Sequence, residues 1–340
     1  MNQGRTVFAL VMEFIPHYQF QKAVDRYAGD KWVQSFFCWE QVLCMAFAQL
    51  THRNILRDSI VSLNSQSSLL YHMGLRGPIS KSTLSDANNH RAYRIYRDLA
   101  YYLIGVAKEL YVGDRLGLDL ENSNYAFDST TIDLCLTLFP WAKFRQTKAG
   151  IKVHTLFDLQ RSIPAFIEIT AAIVHDINLL DQILVEPGSF LILDRGYIDF
   201  ERLYHLTQNA LYFVTRAKSN FKYRRLYSHV VDKSTGSIFD QTVVLTGYKS
   251  SQLYPAHLRL VKYCDKKTGR TFLFLSNNFD IPALTVAELY HQRWSIELFF
   301  KWIKQQLHIK SFFRLSDNAV KIQIWIAVSY IRSFIILALN

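Results

Sequence analysis

The sequence has little of what would tie it to an oxidising compartment, a zinc centre or a bilayer. It holds only four cysteines in 340 residues, Cys38, Cys44, Cys135 and Cys264. None sits in a Cys-x-x-Cys spacing or beside clustered histidines, so a disulfide framework and a zinc site are both disfavoured and a reduced, cytoplasmic setting fits. An apolar stretch follows Arg5, but Glu13 interrupts it, and it reads as a helix rather than a signal peptide. The last apolar stretch, Ile322 to Leu339, carries Gln323 and Arg332 and suits a buried helix better than a membrane span. The chain stops at Asn340, directly after this stretch and without a polar tail, and the expectation is a shortened copy of a longer protein. Internal repeats and low-complexity tracts are missing. Acidic residues are scarce too, 28 against 39 lysines and arginines.

What is present points to a folded, basic protein. Half the residues are hydrophobic, enough for a sizeable core and against wholesale disorder. The length suggests two or three domains. A net charge of +11 favours an anionic partner, either nucleic acid or a membrane surface. The charge is uneven: residues 118–214 sum to −5, against +4 for 1–117, +8 for 215–280 and +4 for 281–340. An acidic centre suits divalent cations and basic flanks suit phosphates, although a solvated surface with chance asymmetry would look the same.

Residues 1–117 read as helical. Trp39–Leu50, Leu69–Met73 and Arg91–Val112 carry helical periodicity, and Gly77–Leu84 is a turn followed by a capped start. His90, Arg91, Arg94 and Arg97 then mark a basic face, which fits equally a helix-turn-helix reading DNA and an ordinary helical hairpin. From Asn124 the pattern changes to α/β. Tyr125–Thr130 is a short strand ending in polar residues, and Gly150–Leu159 and Ile163–Ala172 alternate like paired strands. Asn178–Leu184 and Phe200–Gln208 look helical, and the runs Phe190–Leu193 and Leu211–Thr215 look like buried strands. That order predicts a mixed sheet. Residues 218–280 are basic, rich in Tyr and Ser, and β-rich, with a hairpin joining His257–Cys264 to Thr271–Leu275. A long helix follows, with Thr285 and Glu288 spaced as a capping box.

The chemistry sits on two strand ends and this helix. Asp128 and Asp194 each follow a buried strand core, where α/β sheets collect their sites, though either could simply cap a turn. Along the helix, Tyr290, Arg293, Glu297 and Lys304 fall within about 60° of one another and form a stripe about 21 Å long. Leu289, Ile296, Phe300, Ile303 and Leu307 lie beside it on the core side. Periodicity alone does not separate this stripe from an amphipathic helix with a charged face, in which Glu297 and Lys301 make an i,i+4 pair.

The spacing Tyr290-x2-Arg293-x3-Glu297-x6-Lys304 resembles the Tyr-Arg-Glu-Lys signature of the insertion sequence 4 family of DDE transposases. Asp128-Ser129-Thr130 resembles that family's first catalytic Asp region and Asp194-Arg195-Gly196-Tyr197 its second, in the same order and over about residues 120–310. The resemblance implies an RNase H-like mixed-sheet catalytic core with a β-rich insertion, preceded by an all-helical N-terminal domain. The expected division is a helical DNA-binding domain over 1–117, core over 118–217 and 281–340, and insertion over 218–280. It further implies a bacterial insertion-sequence transposase that cleaves and transfers DNA strands at element ends, with Asp128, Asp194 and Glu297 holding two Mg2+ ions, Mn2+ substituting. Carboxylates suit hard Mg2+, and an ion pair of this kind activates the attacking oxygen and stabilises the leaving one. Tyr290, Arg293, Lys304, Arg195 and Lys152 would contact DNA, with His154 on the same strand face as Lys152. Lys222, Arg224 and Arg225, interleaved with Phe221, Tyr223 and Tyr227, suit backbone tracking and base stacking, or simply a solvated loop. The partners implied are terminal inverted repeats, target DNA and a second copy of the chain, with no membrane, in a cytoplasmic, nucleoid-associated setting. The six tryptophans, at 32, 39, 141, 294, 302 and 325, all avoid the insertion, where some relatives hold a flipped base in a hairpin route. Two alternatives stay open: another RNase H-like endonuclease, and a shortened, non-catalytic DNA-binding derivative.

Overall fold

The computed structural model describes residues 6–53, 55–110, 122–218, 220–306 and 315–339. The N-terminal part is helical: α1 (Val7–Glu13), α2 (His17–Arg26), α3 (Cys38–Leu50), α4 (Leu56–Asn64), α5 (Lys81–His90) and α6 (Arg94–Leu110). Ser80 starts α5, its hydroxyl accepting from Thr83 N at 3.1 Å, the N-cap role that a serine before a helical run performs. Of the basic face expected from His90, Arg91, Arg94 and Arg97, His90 and Arg94 are exposed but Arg91 is not. Arg91 is buried over the Phe36 ring and donates to Gln41 Oε1 at 2.9 Å and to the Phe36 carbonyl. Gln41 also accepts from Tyr96 Oη at 2.6 Å and donates to Asn88. Arg91 therefore satisfies a buried polar network, which a guanidinium with five donors does well, and a DNA-reading helix-turn-helix loses its central cation. The last two residues of the expected helix Arg91–Val112 lie outside the described residues.

The rest of the chain builds one sheet. Its strands are β1 (Asn124–Leu134), β2 (Lys143–Arg145), β3 (Lys148–Asp158), β4 (Ile163–Ala171), β5 (Phe190–Leu193), β6 (Tyr212–Arg216), β7 (Tyr223–His229), β8 (Ser237–Leu245), β9 (Leu258–Cys264) and β10 (Thr271–Ser276). The central order β4-β3-β1-β5-β6, with β3 antiparallel to both neighbours and β5 and β6 parallel to β1, is the RNase H-like arrangement. β10, β9, β8 and β7 extend this sheet beyond β6, all antiparallel, so the basic segment continues the sheet and leaves β7 on its edge. The short helix α8 (Tyr248–Leu253) lies between β8 and β9.

Alternation along the strands gives the sheet two apolar faces. Ala126, Phe190, Ile192 and Val153 face the side that also buries Ile296, Phe300 and Trp325. Tyr125, Phe127, Leu191 and Leu193 face the side that buries Leu203 of α7 (Phe200–Gln208). On the first side lie α9 (Ala283–Gln292), α10 (Trp294–Gln306) and α11 (Asp317–Leu339). Tyr101 of α6 donates to the Ile167 carbonyl of β4 at 2.7 Å and packs against Trp325. The N-terminal helices and the sheet thus share one core. Pro282, not Thr285, precedes α9, without a side-chain cap bond, so the expected capping box is absent there. The long helix is also interrupted at Arg293, which separates α9 from α10. No helix among the described residues is long and apolar enough to cross a membrane.

Candidate active site

Sheet register brings the two aspartates together. β1 and β5 run parallel with Asn124 opposite Phe190 and Phe127 opposite Leu193. The next residue on each is Asp128 and Asp194, so the acids emerge side by side on strands about 4.8 Å apart. β5 ends there, and Asp194 caps the 3-10 turn Arg195–Tyr197 by accepting from Gly196 N at 3.5 Å. β1 continues through Asp128 to Leu134, longer than expected, and Ser129 N donates to Asp128 Oδ1 at 2.8 Å.

The helical side supplies the rest. Tyr290, Arg293 and Glu297 share one stripe of α9 and α10 and turn it onto the aspartates. Tyr290 donates to Asp194 Oδ1 at 3.4 Å. Arg293 donates to Asp128 Oδ2 at 3.0 Å through one guanidinium nitrogen and to Glu297 Oε1 through the other. Glu297 stands in the first turn of α10, where the helix dipole favours an anion. The end of the stripe, Lys304, is exposed and, with Asp128, Glu297, Phe300 and Lys301, lines an open cleft of about 530 Å3. Leu307 lies outside the described residues.

Among the groups in direct contact the charge does not balance. Asp128 and Glu297 share one guanidinium, whose buried Nε has no hydrogen-bond partner, and Asp194 adds a third carboxylate, while the exposed Lys301 and Lys304 line the cleft without an ion pair to these acids among the described residues. Burial pushes the Asp128 carboxyl up to about 6, Asp194 and Glu297 push it the same way, and the Ser129 amide and Arg293 pull it back without prevailing. All three side chains of the Asp128–Arg293–Glu297 bridge keep some exposure, 21%, 13% and 35%. The donor set fits a hard divalent cation: oxygen ligands only, crowded like charges, and an acid whose ionised form a further positive charge would stabilise. Among the described residues no three ligands converge closely enough to hold a metal as they stand. A guanidinium, rather than a gap, joins Asp128 to Glu297, so a metal and Arg293 would compete for the same oxygens.

The other expected DNA contacts separate. Arg195 is exposed beside Asp194. Lys222 is exposed just before β7, and Arg224 and Arg225 are exposed on β7, interleaved with exposed Tyr223 and Tyr227. Lys152, expected to contact DNA, does not reach the cleft. Asp128 pairs across to Thr155, whereas Lys152 pairs with Thr131 and His154 with Ser129. By alternation, Lys152 and His154 point to the sheet face opposite Asp128. There Lys152 Nζ pairs with Asp176 at 3.1 Å and donates to the Val174 carbonyl at 2.8 Å, so it is already engaged and turned from the cleft. His154 is fully buried, bonded to Thr170 Oγ1 at 2.9 Å, and burial pushes its pKa down to about 4. Sequence reasoning gave no role to Asp176, which reaches this cluster only through a long-range register that no linear spacing announces.

Comparison with known proteins supplies a family. Residues 121–331 match the profile of the Transposase DDE domain, and residues 3–76 match a domain of unknown function, DUF4372. A Sinorhizobium fredii protein described as transposase y4zB is 33% identical over 251 residues, 72% of this chain and 68% of its own length. A Geobacillus stearothermophilus protein described as the transposase for insertion sequence element IS5377 is 31% identical over 206 residues, 60% of this chain and 54% of its own. Among solved structures, the cryo-EM structure of a piggyBac transposase synaptic complex with hairpin DNA aligns over 99% of this chain and 76% of that one, at 13% identity and a TM-score of 0.49.

Proposed function

The chain belongs to the Transposase DDE domain family, and we propose that it is a DNA transposase of the insertion sequence 4 type, cutting and joining DNA at the ends of its element with Asp128, Asp194 and Glu297 as its catalytic acids. The observation that carries this reading is the register that sets Asp128 beside Asp194, together with the helix stripe that aims Tyr290, Arg293 and Glu297 at both. The spacing of that stripe resembles the Tyr-Arg-Glu-Lys signature, here with each of its first three members in contact with an aspartate or with one another. A division of roles along the chain is part of the proposal: helices over 1–117, core over 118–217 and 281–340, and a basic β segment over 218–280, packed on one core and one sheet.

The three acids would hold two Mg2+ ions, or Mn2+, which would supply activation of the attacking oxygen and charge stabilisation of the leaving one. The chain's own residues do the rest. Arg293 bridges Asp128 and Glu297 in the free protein, and a scissile-strand phosphate, which an arginine can grip bidentately, would draw it off those acids. DNA would thereby clear the oxygens that the metals need. Tyr290 orients Asp194 by its hydrogen bond. Lys304 and Arg195, both exposed near the acids, would hold backbone phosphates. Lys222, Arg224 and Arg225 on the sheet edge would track DNA further out, with Tyr223 and Tyr227 offering stacking surfaces. Two copies of the chain acting across paired terminal repeats complete the proposal.

The test is cleavage of DNA carrying the element's terminal repeats with Mg2+ or Mn2+, comparing wild type with Asp194→Ala. Metal-dependent nicking at the repeat boundary, lost in the variant, supports the reading. Salt-sensitive DNA binding without cleavage in either protein would instead favour a non-catalytic DNA-binding derivative.

A further inference from the structure

Directly behind Asp128, on the opposite face of the sheet, lies a second polar cluster centred on Asp176. The 3-10 turn Asp176–Gln182, which follows β4, delivers this carboxylate beneath β1 and β3. Asp176 Oδ1 accepts from Ser129 Oγ at 2.7 Å, pairs with Lys152 Nζ at 3.1 Å and lies 3.5 Å from His154 Nδ1, which forms no hydrogen bond. Ser129 belongs to both clusters. Its hydroxyl is held by Asp176, and its backbone amide donates to Asp128 Oδ1.

The chemistry of the cluster distinguishes it from the acids in front. Asp176 already has a cation, since Lys152 is 15% exposed and fixed by a second bond to the Val174 carbonyl. His154 stays neutral in its buried position and adds no competing charge. Asp176 is therefore a paired carboxylate with oriented partners, whereas Asp128 is an under-compensated one. Ser129 links the two acids, its hydroxyl donating to Asp176 and its backbone amide to the Asp128 carboxylate. Groups that orient metal-binding carboxylates in this way set how well the ligands meet the ion.

We propose that Asp176 is a positioning residue for the transposase reaction, acting through Ser129 to fix the Asp128 carboxylate from behind the sheet. The proposal rests on the assignment of Asp128 as a catalytic acid. It implies a chain of dependence, Asp176 to Ser129 to Asp128, in which removing either of the first two has one and the same consequence.

The experiment compares Asp176→Ala, Ser129→Ala, their double variant and Asp176→Asn in the full chain on terminal-repeat DNA. It reads Mn2+ affinity by EPR, single-turnover cleavage and DNA affinity. Asp176→Ala and Ser129→Ala should each weaken Mn2+ binding and slow cleavage by about 10- to 100-fold, the range typical of groups that orient metal ligands, with DNA affinity unchanged. The double variant should be no worse than Asp176→Ala alone, because the two residues act in series. Asp176→Asn keeps an oxygen that can accept from Ser129 and should recover most of the loss, which a general packing defect would not do. Wild-type Mn2+ affinity in Ser129→Ala, a small change in a strand that stays paired, overturns the proposal even if Asp176→Ala fails to fold. Effects that multiply in the double variant overturn it too. Failure of the wild type to bind Mn2+ at all would strike the underlying assignment of Asp128 and this inference with it, an outcome distinct from equal binding by wild type and variants.

Discussion

Arg259 and Arg293 each pair with carboxylates, and their surroundings differ in a telling way. In the outer sheet Arg259 and Asp240 form a bidentate pair, Nε to Oδ1 at 3.0 Å and one terminal nitrogen to Oδ2 at 2.6 Å. Both are nearly inaccessible, at 5% and 6% exposure, and the remaining guanidinium nitrogen donates to the Asn278 and Ile281 carbonyls. One charge meets one charge, and the buried guanidinium is engaged on every nitrogen. At the sheet end Arg293 faces Asp128 and Glu297 with Asp194 close by, leaves its own Nε without a partner and opens onto a cleft. A closed pair of this kind holds strands together. An over-anionic, half-open one is what a further cation would balance, and it comprises the acids proposed here as catalytic.

If that contrast is right, removing a carboxylate should have opposite consequences in the two places. Asp240→Ala strands a buried guanidinium and should destabilise the fold by about 3–5 kcal/mol, seen as a lowered urea midpoint. Asp128→Asn should do the reverse at neutral pH. The Asp128 carboxyl binds its proton more tightly in the folded chain, where its pKa is about 6, than in the unfolded one, where it is near 3.8. Its contribution to stability is therefore full below pH 3.8 and is lost as pH rises through about 6. The neutral Asn variant should escape that loss and gain up to about 3 kcal/mol at pH 7, with no gain below pH 4. Urea melts of both proteins across that range check it, and a destabilised Asp128→Asn at pH 7 would break the comparison. The smallest effect concerns the exposed basic edge. Replacing Lys222, Arg224 and Arg225 together by Ala should leave stability unchanged and flatten the salt dependence of DNA binding by about one unit of slope for each phosphate contact removed. An unaltered slope would make that edge a solvated surface.

Parts of this contrast are legible in the sequence and parts are not. Phe200–Gln208 is read to the residue because Asp199 caps it locally, accepting from Glu201 and Arg202. Phe190–Leu193 is read because a strand buried on both faces must be apolar throughout. Asp128, Asp194 and the stripe at 290, 293 and 297 are legible because each lies at a fixed offset on its own element. The conformation at Arg293 that splits the helix is not, since Tyr290, Arg293 and Glu297 keep helical spacing across the break. Nor is the burial of Arg91, whose local sequence looks like an exposed basic face and whose partners Phe36 and Gln41 lie about 50 residues upstream. Lys152 and Asp176 fail for the same reason. Which face of the sheet a strand residue occupies depends on the pairing of β3 with β1, and that pairing, not the spacing of Lys152 from Asp128, sends its ammonium behind the site.

The central claim, that the unbalanced acids are a metal site, is tested most directly by Mn2+ binding to the full chain on DNA bearing the element's terminal repeats, read by EPR for wild type and Asp194→Asn. The account predicts bound Mn2+ in the wild type and its loss in the variant, with the variant's thermal stability undiminished. Equal Mn2+ binding by the two proteins would contradict it.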